Sequence, residues 1–254
     1  MRTRDDASHN YRSLVRRWRK IARACGLHCR TFATSADLPL LVLRSIRPPE
    51  DAPRIYLSAG IHGDEPAATE GLIRWAAENP AAAASLNLTI FPCLNPWGLL
   101  NNSRLDHRGR DLNRCYRSRT QPVAAHIREL HGQSFDVALT LHEDFDANGI
   151  YIYEVASLKP HWAESLIAAA APHLPPDNRA AIEHRRAKAG VIRRTVRPDT
   201  MPEWPEAFLL HFHHARRTFT VETPSEFHIH HRILAQISVI QKAVTLARSA
   251  HGGL

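Results

Sequence analysis

The stretch IYLSAGIHGDEPAATEGLIRW, residues 55–75, decides how the chain is read: an apolar run passes through Gly60 into His62-Gly63-Asp64-Glu65 and on into a helix. Arg54 to Ala59 reads as a strand. A helix is expected over roughly Glu65 to Glu78, with Pro66 in the first turn, where a missing N–H costs nothing. Strand, tight turn and helix make the opening unit of an α/β fold, and such folds place their sites at the carboxyl ends of strands. Gly63 permits a turn tight enough for His62 and Glu65, three apart, to aim an imidazole nitrogen and a carboxylate at one point. Hydrolytic zinc sites commonly take three protein ligands of this type and leave a fourth position open for water. Alone, HxxE also suits a surface turn whose acidic residue favours the helix dipole.

A third ligand has to come from another strand end. VALTLHED, residues 137–144, offers an apolar strand that delivers His142, although in a chain with seventeen His a core or surface role is the common alternative. Between these segments lies NPWGLLNNSRLDHRGRDLNRCY, residues 95–116. Its Arg104 and the pair Asn113-Arg114 supply planar donors suited to polarising a carbonyl and gripping a carboxylate. The other Arg of this loop, at 108, 110, 117 and 119, read equally well as a solvated face. In TFTVETPSE, residues 218–226, a strand delivers Glu222 before Pro224 stops it. A carboxylate so placed suits a general base, or else is an ordinary exposed strand-end Glu.

Further out, Tyr11, Leu14, Val15, Trp18, Ile21, Ala22 and Cys25 recur at helical spacing between a capping-type Ser8 and Gly26, with Arg on the wet face. Strands are expected at Leu40 to Ile46, Leu88 to Phe91, Asp136 to Leu141, Gly149 to Val155 and Thr218 to Val221. Helices are expected near Val123 to His131 and Ile229 to Ala247, the latter with Ile233, Leu234, Ile237, Ile240, Val244 and Leu246 along its apolar side. Ala81 to Ala84 reads as a linker, residues 95 to 121 as a long irregular segment, and His173 to Pro205 as excursions over the surface. Strands alternating with helices argue for an α/β sandwich around a mixed, largely parallel sheet, with residues 1–254 as one domain.

Composition narrows the class. The chain has 254 residues, 44% hydrophobic and 23% charged, which excludes collagen, a disordered tail and a small disulfide scaffold. Its net charge is +8, and with Lys only at 20, 159, 188 and 242, 33 − 4 = 29 of the 33 basic residues are Arg. Cys25, Cys29, Cys93 and Cys115 form no CxxC pair, as expected of reduced thiols in the cytoplasm. No apolar signal segment opens the chain, and no run of about eighteen apolar residues appears, so neither secretion nor a membrane location is expected.

In order along the chain, HGDE, NPxG followed by DLNR, a strand-end His and a strand-end Glu in VETP resemble the zinc carboxypeptidases of the M14 type and their relatives, the aspartoacylases and succinylglutamate desuccinylases. The resemblance spans roughly residues 54 to 224, and YRSLVRRWRKIA resembles the first helix of bacterial M14 proteins. It implies a three-layer α/β/α sandwich with a central mixed, largely parallel twisted sheet. It implies His62, Glu65 and His142 as ligands of one Zn2+ per chain, with Asp111 orienting His62 through its free ring nitrogen. Arg104, nine residues after Asn95 as in the aspartoacylase branch, would polarise the scissile carbonyl. Asn113 and Arg114 would hold a substrate carboxylate, and Glu222 would activate zinc-bound water.

Two departures qualify the resemblance. M14 carboxypeptidases carry a mobile Tyr between the third ligand and the catalytic Glu, whereas the last Tyr here is Tyr153, eleven residues after His142. The aspartoacylase branch adds a C-terminal β domain, and the 32 residues after Glu222 are expected to be mostly helix instead. The expected activity is therefore a metallocarboxypeptidase acting on small peptides. Its rivals are an N-acyl amino acid deacylase and, from another class, a non-catalytic basic binding protein for nucleic acid or a regulator. The expected partner is a small peptide or acylated amino acid with a free carboxylate, not nucleic acid. The clusters HFHH (211–214) and HIHH (228–231) read as polar edges rather than a second metal site, and Glu143, Asp144 and Asp146 as a solvated acidic turn or as residues that select basic side chains.

Overall fold

A computed structural model describes residues 8–155 and 158–251. Among the described residues, ten strands and eight α-helices follow one another as α1 (Tyr11–Ala22), β1 (Leu27–Ser35), β2 (Leu38–Ser45), β3 (Arg54–Ala59), α2 (Pro66–Glu78), α3 (Pro80–Ala84), β4 (Asn87–Phe91), α4 (Pro96–Asn101), α5 (Val123–Leu130), β5 (Val137–Asp144), β6 (Tyr151–Val155), α6 (Ala163–Ala170), β7 (Ala181–Ile182), β8 (Arg185–Arg186), β9 (Val191–Arg193), α7 (Glu206–His213), β10 (Thr218–Pro224) and α8 (Ile229–His251). Eight strands form one sheet in the order β1-β2-β4-β3-β5-β10-β6-β9, and β7 and β8 pair separately. The four central strands, β4, β3, β5 and β10, run parallel, while β2 and β6 join them antiparallel. This is the expected mixed, largely parallel sandwich.

Central strands covered on both sides need apolar residues at nearly every position. Ile55, Leu57, Ala59, Val137, Leu139, Leu141, Phe219 and Val221 pack on one face with residues of α1, α2, α6 and α8. Tyr56, Ala138 and Phe91 point the other way, toward α5 and α7. The period of two therefore puts Tyr56, Thr140, His142, Thr220 and Glu222 on the α5/α7 side. That side carries the chemistry.

Several boundaries differ from those expected. Strand β1 has no counterpart in the expected elements, because its hairpin with β2 turns at Ala36 and Asp37, with φ of 48° and 60° and no glycine to signal it. Asn10, not Ser8, caps α1 by accepting from the Ser13 N–H. Ala81 to Ala84 is helical behind Pro80 rather than a linker. Residues 95–121 hold α4 and a 3-10 turn, Leu112–Arg114. His173 to Pro205 does more than cross the surface, since β9 pairs with β6 at the edge of the main sheet. In α8 the buried stripe is Ala235, Gln236, Val239, Ile240, Ala243, Val244 and Ala247, while Ile233, Leu234 and Ile237 stay half-buried. Small residues serve there because α8 crosses α2 closely: a Cβ on Gly71 would lie 2.7 Å from that of Gln236.

Candidate metal centre and substrate cleft

Beyond β3 the chain turns through Gly60, at a φ of 62°, to bury His62. The next residue has no room for a side chain: a Cβ on Gly63 would stand 1.9 Å from the Gly98 carbonyl carbon. The Gly63 N–H also donates to the Ser103 carbonyl at 3.0 Å, tying the turn to the end of α4. Glu65 enters α2 without capping it, which leaves its carboxylate for the two imidazoles. Its oxygens lie 2.6 Å from His62 Nδ1 and 2.9 Å from His142 Nδ1, and all three residues are buried.

Burial works against charge on both imidazoles, but Glu65 outweighs it; with Asp111 it raises His62 to about 9, and it raises His142 above its ordinary value. Burial also disfavours the Glu65 carboxylate, yet the two His bring it down to about 2. Two imidazole nitrogens and one carboxylate oxygen within 4.8 Å of one another are a donor set that fits a zinc ion of the hydrolytic kind. Among the described residues no other such group of three forms, and the HFHH and HIHH clusters lie on α7 and its end and at the start of α8.

The far nitrogen of His62, Nε2, meets Asp111 Oδ1 at 3.0 Å, the usual way a ligand imidazole is oriented. Asp111 Oδ2 takes two bonds from Arg104, at 3.2 Å from Nε and 3.0 Å from Nη2. Burial favours the neutral acid at Asp111, and the bonds and charges of His62 and the charge of Arg104 reverse this to a value far below the ordinary one. Arg104 Nη1 then lies 3.3 Å from His62 Nδ1, facing the ligand group. NPxG explains the placement. Asn95 Oδ1 caps α4 at the Gly98 N–H, and Asn95 Nδ2 holds the carbonyls of Arg104 and Leu105 at 3.4 and 3.2 Å.

Glu222 sits beside His142 in the parallel register of β10 and β5, and opposite Tyr151 of β6. Burial foremost, with the charges of Glu65, Asp144 and Glu183, raises its carboxyl well above the usual range, against the pull of His142. A cleft of about 350 Å³ opens over these groups, and His62, Glu65, Arg104, Asn113, Arg114 and Glu222 all line it. Asn113 is buried, whereas Arg114 is exposed with Nη1 on the Asn113 carbonyl at 3.1 Å.

The opposite wall was not legible as site. It consists of Tyr151, Tyr153, Glu183, Arg194, Met201 and Phe208, brought in by β6, by the hairpin β7–β8 and by the chain entering α7. Tyr153 donates to Glu183 at the hairpin tip, so it belongs to the cleft wall. The acidic turn divides: Glu143 is buried against Arg232 and the Ala67 N–H, Asp144 lines the cleft and accepts from Tyr151 at 2.8 Å, and only Asp146 is exposed. Arg110 is no free surface charge, since it clasps Asp106 at 2.6 Å and the Gln121 carbonyl at 2.5 Å.

The family model of the succinylglutamate desuccinylase/aspartoacylase catalytic domain matches residues 51–189. No curated protein matches the sequence. A provisionally assigned metallopeptidase from Shewanella amazonensis SB2B superposes with a TM-score of 0.83 at 22% identity, over 94% of this chain and 94% of the other. A metallo-carboxypeptidase from Burkholderia cenocepacia gives a TM-score of 0.67 at 16% identity, over 93% of this chain and 68% of that one. One from Pseudomonas aeruginosa, in complex with (2-guanidinoethylmercapto)succinic acid, gives 0.60 at 19% identity, over 92% and 68%. At these identities the likeness is one of fold.

Proposed function

The chain belongs to the succinylglutamate desuccinylase/aspartoacylase catalytic-domain family, whose members hydrolyse amide bonds, and we propose that it is a zinc-dependent hydrolase that cleaves an amide next to a free carboxylate. The first reading is a metallocarboxypeptidase that removes the C-terminal residue of small peptides. One observation carries the chemistry: His142 and Glu222 are paired neighbours on β5 and β10, next to the Glu65 carboxylate that faces both imidazoles. The metal would be held by His62, Glu65 and His142. When bound, it supplies Lewis acidity, which acidifies water and polarises a carbonyl.

The chain's own groups do the rest. Asn113 and Arg114 hold the substrate carboxylate, which fixes the scissile bond over the floor of the cleft. Arg104, kept in place by Asp111, donates to the carbonyl oxygen as charge develops there. Glu222 takes a proton from the attacking water and returns it to the leaving nitrogen. Its raised pKa makes it a stronger base than a solvated carboxylate. Asp111 holds the orientation of His62 throughout.

The family match favours a second reading, an N-acyl amino acid deacylase, in which the same groups act on an acyl amide. The test is a panel of short peptides against N-acetyl and N-succinyl amino acids, each with its carboxamide counterpart, together with a zinc determination. Turnover of carboxylates only, with about one zinc per chain, is expected. Turnover of peptides alone selects the first reading, and of acyl amino acids alone the second. A metal-free protein that hydrolyses neither would overturn both.

A further inference from the structure

Helix α7 begins behind Pro205, which has no side-chain donor or acceptor with which to cap it. The cap comes from elsewhere in the chain: the Glu206 N–H donates to Asn113 Oδ1 at 2.8 Å, 93 residues away in sequence. That bond settles which way round the Asn113 amide lies. Its oxygen is committed to the helix, so the NH2 end, with two donors and no acceptor, is the end left for the cleft that Asn113 lines.

The Glu206 side chain is itself unusual. It is 1% exposed, yet among the described residues no cation lies within ion-pair distance of it. Buried carboxyl groups are normally paired, because leaving water costs them so much. Here the Tyr56 hydroxyl donates to Glu206 Oε1, and the Ser58 hydroxyl also supports the carboxyl. The Tyr56 oxygen in turn meets His126 Nε2 at 3.0 Å, and His126 Nδ1 meets the Tyr116 hydroxyl at 2.8 Å. One set of protons satisfies all three contacts: Tyr116 O–H to Nδ1, Nε2–H to Tyr56, and Tyr56 O–H to Glu206. Burial holds His126 neutral, at about 3, as that set requires.

The chain of bonds closes on its own start. Tyr116 lies three residues after Asn113, so α5, β3 and α7 grip the DLNRCY segment from both sides. We infer that Glu206, with Tyr56, His126 and Tyr116, forms a buried positioning device that fixes the Asn113 amide with its donors toward the cleft and so sets the recognition of a substrate carboxylate. Glu206 is a positioning residue, acting through Asn113. The inference rests on the proposed role of Asn113 in the cleft.

Two measurements test it on the full-length protein. In the first, binding of an acyl amino acid and of its carboxamide is measured by calorimetry for the wild type and for Glu206→Leu, Glu206→Gln and Tyr116→Phe. Glu206→Leu should weaken the carboxylate on the order of tenfold and leave the carboxamide within about twofold, the loss expected of one misdirected hydrogen bond to a charge. Glu206→Gln, whose amide oxygen still accepts from Tyr56, should restore most of the affinity. Equal losses for both ligands, or none, would overturn the inference.

The second measurement needs no ligand. The side-chain amide resonances of Asn113, assigned by their loss in Asn113→Ala, should shift in Tyr116→Phe, a variant mild enough to fold, and stay closer to the wild-type positions in Glu206→Gln. Resonances unshifted in Tyr116→Phe overturn the device. If they shift while the wild type binds neither ligand, the proposed role of Asn113 is what has failed.

Discussion

The two faces of the sheet solve opposite problems. On the side of α1, α2, α6 and α8 the strands present Ile55, Leu57, Leu139, Leu141, Phe219 and Val221, and the helices answer with apolar side chains. On the side of α5 and α7 the same strands present Tyr56, Thr140, His142, Thr220 and Glu222, and burial there has to be matched by hydrogen bonds. The first face stabilises by removing apolar area from water. The second has its own apolar cluster around Tyr56, Phe91 and Leu210, but the polar groups it holds at fixed distances contribute little net stability. Fold and chemistry are thus divided between alternate residues of the same strands.

The sharpest way to break that division is at Glu222. Glu222→Gln should lower kcat by a factor of about 10² to 10⁴, the usual contribution of a positioned general base, while zinc content and melting temperature stay near wild type. His62→Ala should lose zinc as well as turnover. Glu222→Gln with near-normal kcat would show that the polar face does not carry the reaction.

On the other face the signs reverse. Phe219→Ala, three residues before Glu222 on the same strand, should cost about 3–5 kcal/mol in urea unfolding and leave KM unchanged in the protein that remains folded. Severing the pair that ties α8 to β5 comes next. Arg232→Met leaves Glu143 buried without its cation, for about 3 kcal/mol. Unfolding of the metal-free protein measures it, and a loss below about 1 kcal/mol would place that carboxylate in water instead.

The smallest effect is a pH dependence in the loop between Arg104 and Asp111. Burial opposes ionisation of Asp106, but Arg110 and the Arg108 and Arg110 N–H groups outweigh it and depress its pKa. A depressed carboxylate contributes stability that is present above its unfolded value and lost as pH falls through the folded one. Asp106→Asn should therefore cost about 1 kcal/mol near pH 7, and the gap to wild type should close as pH falls through the depressed pKa of Asp106. A gap that persists in acid would assign the loss to packing.

Legibility in the sequence follows the range of the interactions. HGDE, NPxG and DLNR are local devices: a turn needing Gly63, a cap by Asn95 on its own helix, an Asp111 that caps the next turn at the Asn113 N–H. His142 and Glu222 follow from apolar runs that end at a polar residue. The opposite cleft wall has no such local signal. Strand β9 is three residues long and exists because β6 offers it an edge, and α7 starts at Pro205 because Asn113, far away in sequence, supplies the missing cap. Even the hairpin β1–β2 turns on Ala36 and Asp37, with no glycine to mark the tight reversal.

The contact between Gly63 and Gly98 bears on how this scaffold can be engineered. With a Cβ at either position colliding with backbone or with Asn95, neither the ligand turn nor α4 can be replaced separately. A loop exchange meant to alter selectivity has to import residues 60 to 104 as one cassette, so that both glycines arrive together. Shorter grafts would join two halves that were never shaped to meet.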